Sequence, residues 1–279
     1  MASQLTAADI GTNTWFKPLL MATLVTSALG NIAGLVFADS VYGQETDSLA
    51  DAALAQDAGT LSVCVATILL LEQGSRSRFE LRELIGLGVA GFLAYNAVIY
   101  CFDITFGPLF LVWTLVLGLS VFTLASGFRL LVTGQVRVPV PRVVFAAVVM
   151  IVVAALFSLL WLFEISGDLI AGDGSTSAAA WQVPTNPVHV LDLSVALPTA
   201  FITGVAVLRS QALGLLATPA VLAFLVVMSI PIALTPFASA LRSHPAEWGV
   251  APPVLAIGVL CAGALWLVVR QSRRDDPDA

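Results

Sequence analysis

Charge is what this sequence has least of. Asp, Glu, Lys and Arg make up 11% of its 279 residues, less than half of the roughly 25% usual in soluble domains. That leaves too little polar surface for a water-soluble fold. Lysine is almost missing, with Lys17 standing alone beside eleven arginines. No lysine lies mid-span, which excludes a retinal Schiff-base pigment. The two histidines, His189 and His244, are too few and too scattered for a bis-histidine haem. Cys64, Cys101 and Cys261 sit in apolar runs without paired spacing, so they read as small buried hydrophobes and not as a disulfide or zinc framework. A net charge of −6 excludes a nucleic-acid footprint. P-loop, His-Glu-x-x-His, Gly-x-Ser-x-Gly and Cys-x-x-Cys-His patterns are all missing, so no cofactor is expected.

Apolar residues are there in abundance, at 58% of the chain with a mean hydropathy of +0.96. Eight runs stand out, near residues 16–37, 57–73, 84–106, 108–127, 143–164, 190–208, 213–237 and 252–269. Each is too long for a strand, and a bilayer admits only helices or closed barrels. The fold class expected is all-α: a polytopic transmembrane bundle of about eight spans, placed in the cell membrane as a multi-pass protein. One transmembrane domain covers 16–269, between a segment 1–15 and a tail 270–279. The residues before the first run are polar and weakly charged, so they do not read as a signal peptide. Trp15, Phe16 and Lys17 look like an interfacial anchor.

Arginine sets the orientation. With eight spans, one set of loops holds Lys17, Arg76, Arg78, Arg82, Arg129, Arg137, Arg142, Arg209, Arg270, Arg273 and Arg274, and the other holds Arg242 alone. The positive-inside rule then places both termini in the cytoplasm. The second run is short and carries Thr60, Ser62, Cys64 and Thr67. Omitting it would put Arg76, Arg78, Arg82, Arg129, Arg137 and Arg142 outside, so it is kept. Acidic residues lean the other way, with eleven at or near the expected outer face, among them Asp57, Asp103, Glu164 and Asp192. Such a face either gathers cations or is a solvated coat. The longest loops, 38–56 and 165–188, are both expected outside, the second flexible around Gly-Asp-Gly-Ser-Thr-Ser.

Polar stripes at helical spacing mark the candidate residues. Thr23, Ser27, Asn31 and Gly34 share a face of the first span, and Asp57, Thr60, Cys64 and Thr67 a face of the second. Asn96, Tyr100 and Asp103 do so on the third, and His189, Asp192, Thr199 and Thr203 on the sixth. Small and hydroxylated residues so spaced commonly pack helices together. Carboxylates in an apolar span point instead to a cavity or an ion path. Asn186 and Pro187 read as a cap and first-turn proline, but His189 and Asp192, one turn apart, suit proton relay or metal ligation. Glu164 closes the fifth span at the same level. The binding or coupling candidates are therefore Asp57, Asn96, Tyr100, Asp103, Glu164, His189 and Asp192. They are expected to line an outward-facing polar pocket between the second, third, fifth and sixth spans.

The stretch Asn186-Pro-Val-His-Val-Leu-Asp-Leu, with Leu197-Pro, Ile202-Thr-Gly-Val and Leu213-Gly after it, resembles an uncharacterised family of prokaryotic multi-span integral membrane proteins. Ala55-Gln-Asp before the second span and Tyr95-Asn with Tyr100 in the third add to the resemblance. It implies the span layout from the first span to the seventh, and brings no activity or catalytic residue with it. Function stays open among three classes. A small-solute transporter coupled to protons or another cation ranks first, and a non-catalytic sensor or assembly subunit second. A membrane-embedded enzyme acting on a lipid-like substrate ranks third. The partners expected are the lipid bilayer and a small solute or cation, with no nucleic acid.

Overall fold

The computed structural model describes residues 15–73, 81–133 and 140–274. The segment 1–14, Arg76, Arg78, Arg137 and residues 275–279 of the tail lie outside the described residues. Eight helices among those described are long and apolar enough to cross a membrane, and no strand occurs among them. The protein is a multi-pass, all-helical membrane protein.

The spanning helices are α1 (Phe16–Val36), α3 (Asp47–Glu72), α4 (Leu81–Phe102), α5 (Phe110–Val132), α6 (Val144–Ala171), α10 (Ala212–Leu241), α11 (Ala251–Arg274) and a composite one. The composite span joins α8 (Pro187–Leu191), a π-helical turn (Asp192–Ala196) and α9 (Leu197–Leu208). Short helices α2 (Ala38–Tyr42) and α7 (Thr176–Trp181) lie between spans. α10 is the centre of the bundle. It packs on α3 and α4 on one side and on α9 and α11 on the other. One apolar core gathers Phe16, Leu24, Leu84 and Phe92 in the N-terminal half, and another gathers Met150, Ala200, Leu222 and Cys261 in the C-terminal half. The three cysteines are free.

Several boundaries differ from the sequence expectation, two of them for clear local reasons. α3 starts ten residues before the apolar run, because the Thr46 hydroxyl accepts from the Leu49 N–H and Asp47 stands in the first turn. The segment 38–56 is therefore mostly helix, not loop. α6 likewise runs on to Ala171 and stops at Gly172, whose φ of +76° suits glycine. The Gly-Asp-Gly-Ser-Thr-Ser stretch carries the chain from α6 into α7, whose first two residues are its Thr176 and Ser177. Asp168 accepts from both the N–H and the hydroxyl of Thr176, at 3.0 and 2.8 Å, and Ser175 caps α7. The sixth span starts as expected, with Asn186 Oδ1 accepting from the Val188 N–H at 2.9 Å and Pro187 in the first turn. It then widens at Asp192, just before Pro198. Proline has no N–H to give the preceding turn and its ring crowds that turn's carbonyl, and a π-turn relieves both.

Candidate functional site

The carboxylates separate into clusters at one end of the bundle. Asp57 is fully buried. Its Oδ2 accepts from the Tyr42 hydroxyl at 2.6 Å and its Oδ1 from the Tyr100 hydroxyl at 2.9 Å. Burial first, and then the adjacent Asp57 charge, push the Tyr42 hydroxyl far above its ordinary pKa, so it remains a proton donor. Gly34 of α1 makes this packing possible, since a Cβ there would lie 2.1 Å from Asp57 Oδ2. The Tyr100 ring leans on Trp113 with centroids 4.6 Å apart. The polar stripe of α1 thus ends on a carboxylate. Lower down, the Thr23 and Thr123 hydroxyls meet at 3.1 Å, and Asn31 Nδ2 donates to Ser27 Oγ at 3.1 Å.

Asp192 sits at the first position of the π-turn. Its Oδ1 accepts from the Tyr95 hydroxyl at 3.0 Å and its Oδ2 from Trp161 Nε1 at 2.8 Å. One carboxylate therefore ties α4 and α6 to the composite span. His189 packs on the same indole, with ring centroids 4.7 Å apart, and its Nε2 lies 3.6 Å from Glu164 Oε1. Its side chain is 8% exposed, and Nε2 is buried without a hydrogen bond. His189 and Asp192 therefore both meet Trp161.

These contacts redraw the expected pocket. Glu164, His189 and Asp192 come together, but Tyr100 joins Asp57 in the other cluster. Tyr95, its neighbour five positions earlier, is the third-span residue on Asp192. A helix turns 100° per residue, so Tyr95 and Tyr100 point about 140° apart and serve different carboxylates. Asn96 is 7% exposed, and its Nδ2 is buried without a partner. Asp103 lies past the end of α4, at the lip of an open cleft of about 330 Å³ that Phe102, Phe106 and Gln182 also line. Burial and the nearby Glu45 charge push its carboxyl up to about 6. A second cavity of about 10 Å³ touches Tyr100 and Trp113. Neither cavity is lined by Asp57, Asn96, Glu164, His189 or Asp192. No group of three or more metal-ligating side chains occurs among the described residues.

Sequence reasoning missed Tyr42, Tyr95 and Trp161 as partners of the carboxylates. It also missed a cluster in which Asp51 of α3 meets Arg242 and His244 at the end of α10. Arg242 was the one arginine in the acidic set of loops, a signal that it has an acidic partner. At the opposite end, Lys17 Nζ lies 2.7 Å from Oε1 of the buried Glu83. Comparison with protein families, with curated proteins and with solved structures gives no match.

Proposed function

We propose that this multi-pass membrane protein is a small-solute transporter coupled to protons or another cation, with Asp192, His189 and Glu164 as the coupling groups. The arginine end is taken as cytoplasmic and the carboxylate clusters as facing outward. One observation carries the reading. A carboxylate stands at a π-turn inside a spanning helix, bound to two other helices, with a buried histidine and a second carboxylate beside it. π-turns in helices often mark functional sites, and ionisable groups inside spans commonly serve ion or proton paths. Tyr95 and Trp161 are neutral donors, so Asp192 can exchange charge without breaking a fixed ion pair.

The test uses proteoliposomes with a pH-sensitive dye inside and a panel of amino acids, sugars, carboxylates and alkali cations outside. The wild type is expected to acidify the lumen, or where an alkali cation replaces the proton to take up labelled solute along that cation's gradient, with at least one class. Asp192→Asn keeps the shape and removes the titration, and is expected to abolish that flux in folded protein. Thr203→Val, farther along the same helix, is expected to keep it. Equal flux in Asp192→Asn, or none from the wild type with any class, refutes the proposal. Orientation is read separately, from impermeant thiol labelling of intact cells carrying single cysteines at 174 or 211 in a cysteine-free background. Position 174 is expected to label and 211 not.

The second reading, a sensor or assembly subunit, draws on Asp57. A fully buried carboxylate with each oxygen on a tyrosine hydroxyl is what a packing role looks like. Under that reading Asp192→Asn is almost silent, since hydrogen bonds between membrane helices average about 0.6 kcal/mol.

A further inference from the structure

We propose that Asp47, Asp51, Arg242 and His244 form a proton-tightened clasp that holds the end of α10 against the start of α3 and closes the acidic end of the bundle. The clasp is separate from the Asp192 cluster and does not rest on the transport reading.

Its centre is Asp51, 2% exposed on the second turn of α3. Arg242 Nη1 lies 2.7 Å from Asp51 Oδ1. His244 Nδ1 lies 3.1 and 3.0 Å from the two carboxylate oxygens, and His244 Nε2 is 3.6 Å from Asp47 Oδ1. The chain is bent to make this possible. α10 ends at Leu241, Ser243 takes a φ of +62°, and the His244 N–H returns to the Ser239 carbonyl at 2.9 Å. That turn swings the imidazole from the axis of α10 toward α3.

The same two helices touch again deeper in the bundle. A Cβ on Gly59 of α3 would sit 3.1 Å from the Cα, Cβ and N of Pro231 on α10. Between this contact and the clasp, α10 contains Pro236 as well as Pro231. Each proline removes an i→i−4 hydrogen bond, and prolines are where helices bend. The last eleven residues of α10, about 16 Å of helix, thus form an arm that carries two prolines. It is pinned at Gly59–Pro231 and latched at Asp51.

The latch carries its own control. With His244 neutral, Asp47, Asp51 and Arg242 sum to −1, and one carboxylate is left over. Protonating His244 brings the sum to zero and places a cation between both acids. At 23% exposed, His244 is open to solvent protons. The other element at this spot, α7, adds no charge: its Ala180 carbonyl accepts from the Thr46 and Ser48 hydroxyls. Glu247, exposed in the α10–α11 loop, is the remaining ionisable group between those helices. Acid on this side tightens the arm, and a rise in pH loosens it.

The experiment places spin labels at Gln44 and Gly249 in the full chain with Cys64, Cys101 and Cys261 replaced by serine, in lipid nanodiscs. Pulsed dipolar distances are read at pH 5.5 and pH 8. One narrow distance is expected at pH 5.5, and a longer population that grows severalfold by pH 8. His244→Gln is expected to show the mixed distribution at both pH values, and Asp51→Asn the longer one at both. Ring 15N resonances of the two histidines, with the His244→Gln spectrum to identify those of His244, show whether its protonation accompanies the change in distance. A wild-type distribution that does not move with pH overturns the clasp, as does one that still moves equally in His244→Gln. His244→Gln decides the question even where Asp51→Asn fails to fold.

Discussion

Gly34→Ala tests how the Asp57 site is built. The new methyl would lie 2.1 Å from Asp57 Oδ2 and 2.7 Å from the Tyr42 hydroxyl, well inside contact distance, and both neighbours are buried. Neither can step aside without giving up the 2.6 Å hydrogen bond between them. Overpacking of this kind costs about 1–3 kcal/mol, and the lost interhelical bond about 0.6–1.7 kcal/mol. Alanine returns about 1 kcal/mol as a better helix former than glycine. The net loss is about 1–4 kcal/mol. At the middle of that range the melting temperature falls by about 5–10 °C. Thermal unfolding in detergent measures it, with Gly118→Ala as the control. Gly118 lies in α5 with nothing within 4 Å of an added Cβ, so that change is expected to be neutral or stabilising. Gly34→Ala combined with Asp57→Ala is expected to cost less than the two single changes summed, because the clash and the carboxylate vanish together. Equal melting temperatures for Gly34→Ala and Gly118→Ala would refute the reasoning.

Two further outcomes follow from charges at the ends of the bundle. The Asp103 carboxyl is raised to about 6 by burial and by Glu45. The fold therefore favours its neutral form, and that contribution is complete below about pH 4 and is lost as pH rises through about 6. Asp103→Asn is expected to flatten the fall in melting temperature between pH 4 and pH 7, measured against wild type in one buffer series. Lys17→Met takes a cation 2.7 Å away from the 1%-exposed Glu83. Breaking a buried pair costs about 3–5 kcal/mol, reduced here to about 1–3 because Lys17 is a third exposed. Adding Glu83→Gln is expected to recover most of that loss in the same unfolding assay.

Apolar run length was enough to read the eight spans, because a bilayer demands about 20 apolar residues per helix whatever the neighbours are. The Asn186–Pro187 start of the sixth span was equally legible, since capping is a local matter of a few bonds. The start of α3 was not, because residues 47–56 are helical through a cap and an alanine-rich face, and hydropathy does not register either. The ordered turn at Gly172–Ser175 was hidden for a similar reason: Asp168 fixes it from the preceding helix.

The candidate site shows the same division. Asp57, Glu164, His189 and Asp192 stood out because a titratable group in an apolar run is expensive wherever it sits. Their partners Tyr42, Tyr95 and Trp161 did not, since a tyrosine or tryptophan in a helix looks like any other large apolar residue until a carboxylate is seen opposite. Whether Tyr95 or Tyr100 meets Asp192 depends on the rotation of α4 against its neighbours, which periodicity within one helix leaves free. Asp51 looked like one more member of an acidic coat, although Arg242, 191 residues away, balances it. By itself the sequence determined the solvent, the number of spanning helices and the residues that need partners. The tertiary structure decided which partner each one found, because that choice rests on helix rotation and approach between segments far apart in the chain.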